Sequence, residues 1–227
     1  MNVFRLSRFA FVALTLGPAL AHAQVNDFGV GGVLDVPSAR MEAENTFTAT
    51  YSRKDVADIY AIAYQPFPRL ETSFRYIISF PRNVSPVPGS FCDLEEAYCR
   101  NQQKDRSFEV KLRLLEESEY LPQLSVGLRD LLGSGVWNGE YLVGSKQWGN
   151  LDLSVGVGWG RLSERRITGN PMSRLSERFA VRGGFTGVGG EFSLKSYFRG
   201  PDIGAFGSVR NSDGKRSRMP SIKRVAS

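Results

Sequence analysis

The chain has 227 residues, with 29 Lys and Arg against 23 Asp and Glu, which is enough for one large or two small domains. Its single histidine, His22, lies in an N-terminal export-type segment, so a chain processed there has no imidazole. Ser–His and Cys–His nucleophilic catalysis and histidine-based metal sites are thereby excluded. The net charge of +6 collects at the ends, since the last 20 residues hold six Lys and Arg against one Asp. The remainder is close to neutral, and no nucleic-acid partner is expected.

In chain order, residues 1–23 read as a secretory signal peptide. Arg5 and Arg8 form the positive region, Phe9 to Leu20 the apolar region, and Ala21-His22-Ala23 the small-residue cleavage site. Cleavage is expected after Ala23, and the next residue, Gln24, is not the cysteine a lipid anchor would require. Residues 24–44 contain GVGGVLDVPSAR and read as a turn-rich lead-in. Gly29-Val30-Gly31-Gly32 is not a phosphate loop, because neither Lys-Ser/Thr nor a helical pattern follows it.

Strands are expected over 45–53, 57–65, 70–80, 106–116, 122–130, 138–148, 151–160, 178–186 and 189–199, and no amphipathic helix is expected. The hairpin 138–160 is the sharpest of them. Leu151, Leu153, Val155, Val157 and Trp159 share one face, Asp152, Ser154, Gly156, Gly158 and Gly160 the other, and Gly149-Asn150 makes the turn. Cys92 and Cys99 lie together in the polar segment 81–105. In an oxidising compartment they are expected to form a disulfide. Residues 208–227 lack aromatic residues and period-two alternation, so a disordered basic tail is expected. Two readings stand for it: a surface that binds anionic lipid or polymer, or the truncated end of a longer gene.

Both a soluble sandwich and a membrane barrel give period-two strands. The sandwich turns its apolar face to a second sheet, and the barrel turns it to lipid. Strands near ten residues, short turns alternating with longer loops, the export signal and aromatic residues near strand ends (Phe80, Trp148, Trp159, Phe198) favour the barrel. The expected fold is therefore all-β, a partial antiparallel up-and-down transmembrane β-barrel of about nine strands over 45–207. A secreted soluble β-sandwich binding module is the alternative.

On the barrel reading the inward charges are Glu71, Arg75, Glu109, Lys111, Arg113, Arg129, Glu140, Lys146, Asp152, Glu191 and Lys195. They either pair among themselves or present a polar surface to a glycan chain. Trp137, Trp148 and Trp159 either stack on sugar rings or form an interface belt. A lipid- or glycan-modifying enzyme is a further alternative. However, the candidate carboxylate pair Glu116 and Glu117 lies in a turn, where solvation accounts for it, and no catalytic residue, metal or cofactor is expected.

Five segments carry a family resemblance: GGVLDVPSAR (31–40), QPFPRLETSFRY (65–76), LPQLSVGLRDLLGSG (121–135), EYLVGSK (140–146) and LDLSVGVGWG (151–160), with Asn170-Pro171 beyond them. Together they resemble the YjbH family of outer-membrane proteins associated with exopolysaccharide production. The resemblance implies a non-catalytic outer-membrane β-barrel that assists secretion or modification of a capsule or exopolysaccharide. Its implied partners are outer-membrane lipid, polysaccharide and other proteins of that system. Family members look longer, so the match would cover only an N-terminal portion.

Overall fold

The computed structural model describes residues 25–55, 57–79, 103–182 and 197–211. Two short strands, β1 (Gly32–Val33) and β2 (Val36–Pro37), pair within the lead-in. The main strands are β3 (Phe47–Lys54), β4 (Ala57–Phe67), β5 (Leu70–Ser79), β6 (Gln103–Leu115), β7 (Gln123–Leu131), β8 (Gly139–Trp148), β9 (Leu151–Gly158), β10 (Arg166–Gly169) and β11 (Asp202–Asn211). They form one nine-stranded antiparallel sheet in the order β10-β11-β9-β8-β7-β6-β5-β4-β3. Among the described residues there is no α-helix, only three short 3-10 turns at Gly160–Ser163, Pro171–Arg174 and Glu177–Phe179.

Seven expected strands appear as β3 to β9, and the other two, 178–186 and 189–199, fall largely outside the described residues. The described part of 178–186 is a 3-10 turn followed by residues 180–182, and the described end of 189–199 is a turn at 197–199. Asn170 gathers the described ends of this region. Its buried side-chain amide donates to the carbonyls of Phe179, Phe198 and Gly200 at 3.0–3.1 Å, engaging acceptors that a sheet ladder would otherwise use. The sheet continues instead with β11, which pairs with β9 from Gly204↔Gly158 to Asn211↔Leu151. That strand runs four residues past the expected start of the tail at 208. Residues 1–23, Phe80, Cys92, Cys99, Glu191, Lys195 and 212–227 lie outside the described residues.

Among the described residues the sheet is not closed into a barrel, because β3 and β10 each pair along one edge only. Short connections at 68–69, 116–122 and 149–150 lie at one end, and the segments 132–138 and 159–165 lie at the other.

The two faces are inverted relative to a soluble sheet. In β5 and β6 the buried face carries Glu71, Ser73, Arg75, Ser107, Glu109 and Lys111. The opposite face carries Phe74, Phe108 and Leu112, all exposed, and this continues through Phe47, Tyr51, Tyr60 and Ile62 to Leu151 and Val155. Cross-strand aromatic pairs run along that exposed face, including Phe47–Tyr64 at 4.1 Å and Phe74–Phe108 at 5.2 Å.

What buries the polar face is the lead-in. Residues 26–40 reach side chains on β5 to β9, so the sheet curls around them. Gly29, at φ +87°, passes so close to the wall that a Cβ there would sit 2.7 Å from that of Ala61. The apolar core is divided into two small clusters, each seeded by the lead-in. Phe28 packs with Ala57, Ile59, Ile77 and Trp137, and Ala39 packs with Tyr141 and Val143.

Candidate functional site

The interior face is built in tiers from the short-turn end. At the first tier, Arg40 donates through Nε and Nη2 to the Asp152 carboxylate at 2.8–3.2 Å and also pairs with Glu117. Arg210 reaches the same aspartate at 3.1 Å. Burial works against the Glu117 carboxylate. The Gln147 amide at 2.8 Å, Arg40 and Lys146 outweigh that effect and hold it below the ordinary glutamate range.

The second tier reads the backbone of the lead-in. Glu71 pairs with Lys111 and accepts from the Gly31 amide at 3.0 Å, while Lys111 donates to the Arg40 carbonyl at 2.7 Å. Gln123 and Ser125 donate to the Ala39 carbonyl at 2.6 and 2.9 Å, and the Ala39 amide donates to Ser145 at 2.8 Å. These side chains satisfy a chain segment that forms little regular structure of its own.

The third tier is an enclosed charge cluster. Glu109, fully buried, accepts from Arg129 Nε at 3.1–3.2 Å and from Tyr141 Oη at 2.9 Å, with Arg75 Nη1 at 3.5 Å. Phe28 lies among cations, with Arg129, Arg75 and Lys54 at 4.7, 5.1 and 5.2 Å from its ring centre. Above it, toward the longer loops, Asp130 accepts from the Gly135 and Trp137 amides and Asp105 accepts from Ser134.

Of the expected inward charges, Glu71, Arg75, Glu109, Lys111, Arg129 and Asp152 are brought together on this face. Arg113 shares it at the short-turn end and pairs with Glu116 at 2.7 Å. Glu140 and Lys146 do not line it. Strand alternation and the pairing Lys146↔Leu153 put both on the face opposite Tyr141 and Ser145. Lys146 holds the turn carbonyls of Ser118 and Glu119. Glu140 is covered by Arg182 and by the Phe198 amide, so its burial comes from the 159–200 segment. Glu117 is likewise more than a solvated turn residue, because it ties Arg40 to the β8 end.

The tryptophans also divide. Trp148 is exposed at a strand end, as a belt residue would be. Trp159 is buried, donates to Asn170 Oδ1 at 3.0 Å and meets Phe198 edge-on at 5.1 Å. Trp137 is buried against Phe28, with Arg161 at 4.3 Å over its ring. The lead-in residues Phe28, Ala39 and Arg40 are the functional positions that sequence reasoning missed. The only local signal was a run of small residues, whose close packing needs the wall to be seen.

Fold and site together define a class: an antiparallel sheet that is apolar outside and charged inside, filled by its own N-terminal segment. The YjbH family model, described as exopolysaccharide biosynthesis protein YbjH, matches residues 24–216. An Escherichia coli (strain K12) protein described as uncharacterized lipoprotein YjbH is 38% identical over 193 residues, covering 85% of this chain and 26% of that protein. The chain belongs to the YjbH exopolysaccharide biosynthesis family. It spans about a quarter of the length of that relative. No solved structure matches it.

Proposed function

We propose that the chain forms part of the wall of an outer-membrane β-barrel that assists export or maturation of an exopolysaccharide without turning over a substrate. The observation that carries this reading is the inverted sheet. Arg75, Glu109 and Lys111 are 0% exposed, while Ile62 and Val155 are 55% and 56% exposed. In water a continuous apolar face of this kind is unfavourable and marks a membrane or partner surface. Against lipid it is the expected face of a barrel wall, and a charged lumen is its counterpart. A soluble sandwich would instead turn Phe74, Phe108 and Leu112 inward.

Strands of 8–13 residues from β3 to β9 suit a tilted bilayer crossing. The open edges at β3 and β10 call for further strands before such a wall can close, because unpaired backbone groups are costly in lipid. A non-catalytic role is supported by the state of the inward carboxylates: Glu71, Glu109 and Asp152 are each committed to cationic partners. The test is deletion of the gene with complementation in a polymer-secreting strain. Reduced or altered extracellular polymer, restored by the plasmid copy, supports the role, and unchanged polymer rejects it.

A further inference from the structure

The slot that holds Phe28 is better matched to another occupant. Its lining includes the Arg75 and Arg129 guanidinium groups, 5.1 and 4.7 Å from the Phe28 ring centre, and the Trp137 indole at 6.1 Å. Its polar groups are only partly satisfied. Arg75 is fully buried, yet Nε, Nη1 and Nη2 have no hydrogen-bond partner, and its ion-pair partner Glu109, at 3.5 Å, is already held by Arg129 and Tyr141. Ser107, which the register places opposite Arg75, has an unpartnered hydroxyl, and Asp130 Oδ1 is unpartnered too.

Burying such groups unpaired is costly. A phenyl ring fills the space between the guanidinium groups and cannot satisfy any of them. A pyranose ring has a similar outline and carries hydroxyl groups around its rim. A hydroxyl both donates and accepts, so it can accept a hydrogen bond from Arg75 while donating one to Asp130 or Ser107. Trp137 supplies an apolar face for the C–H side of the ring, the usual combination in small-ligand sites.

We propose that this slot binds one sugar residue of a polysaccharide chain and that Phe28 is its removable internal occupant. At Phe28 the polar contact with the wall is Ser73 Oγ to the Phe28 carbonyl at 3.0 Å, which a hydroxyl-rich ligand can replace. The proposal rests on the exopolysaccharide reading above, and it can fail separately from it.

The experiment titrates the full chain in detergent micelles with maltoheptaose and with a galacturonic acid oligomer, followed by calorimetry and tryptophan emission. Phe28→Ala should bind at least one probe at least tenfold more tightly than the unaltered chain. Arg75→Met in the Phe28→Ala background should abolish that gain. Should Phe28→Ala fail to fold, Phe28→Leu carries the same test with an expected gain of about threefold. No gain with either probe, or a gain that survives Arg75→Met, overturns the site. A gain in binding alongside unchanged polymer in the deletion strain keeps the site and rejects the export role. Altered polymer with no gain in binding does the reverse.

Discussion

Glu109 shows how a single residue sets the interior. It is the shared acceptor of Arg129 and Tyr141 and the nearest anion to Arg75, all without access to water. Glu109→Gln leaves two buried guanidinium groups without their carboxylate, and removing one partner from such a cluster costs about 3–5 kcal/mol. The expected result is a large fall in the thermal unfolding midpoint of the detergent-solubilised chain. Glu116→Gln, which breaks the exposed pair with Arg113, should change it little. Glu117 supplies a pH dependence of definite sign. Its folded-state pKa lies below the ordinary glutamate range, so its contribution is fully present above the unfolded value and is lost as pH falls through the lower folded one. Glu117→Gln should therefore lower the unfolding midpoint at pH 7, and the gap from the unaltered chain should close in acid. A gap that stays constant down to pH 3 contradicts this.

The glycines of β7 and β9 decide packing at the scale of the element. Gly127 leaves room for the Tyr141 ring, and Gly156 leaves room for the Phe206 ring; a Cβ at either position would overlap the aromatic side chain. Gly127→Ala is expected to destabilise by about 1–3 kcal/mol, the usual range for overpacking. Gly149 is the contrast. It sits in the β8–β9 turn at φ +56° with open space around its missing Cβ. Gly149→Asn, which tolerates that conformation, should leave the unfolding midpoint nearly unchanged. Asn170 has the opposite character, since one amide gathers carbonyls from Phe179, Phe198 and Gly200 and also accepts from Trp159. Asn170→Ala should free the indole and shift tryptophan emission to the red while leaving the β3–β8 ladder intact by circular dichroism.

At the scale of the molecule, the exposed apolar face makes the proposed lipid-facing wall testable. Val155 is 56% exposed on the apolar face. In a water-soluble protein Val155→Lys would change stability by no more than about 0.5 kcal/mol, as at most surface positions. On a lipid-facing wall it should cost about 2–4 kcal/mol near the bilayer midplane. Membrane fractionation with gel heat-modifiability reads the difference. Loss of the membrane-inserted, heat-modifiable species supports the wall, and an unaffected soluble protein rejects it.

Alternation along each strand was enough to place β3 to β9 and to assign the faces of all but β8, because side-chain direction in an extended chain follows from residue parity alone. Glu71, Arg75, Glu109, Lys111, Arg129 and Asp152 were legible for that reason. Glu140 and Lys146 were misassigned because the β8 register had to be known to within one residue. The pairing of β11 with β9 was not legible either, nor was the capture by Asn170 of carbonyls up to 30 residues away. Tertiary structure alone decided that the lead-in fills the charged face. Its ties join Gly31 to Glu71 and Arg40 to Asp152 across 40 and 112 residues, and no local pattern records which distant side chain will satisfy a backbone group. The sequence by itself determined an antiparallel sheet with one apolar and one charged face, a property of neighbouring residues; what occupies the charged face is a property of the closed-up chain.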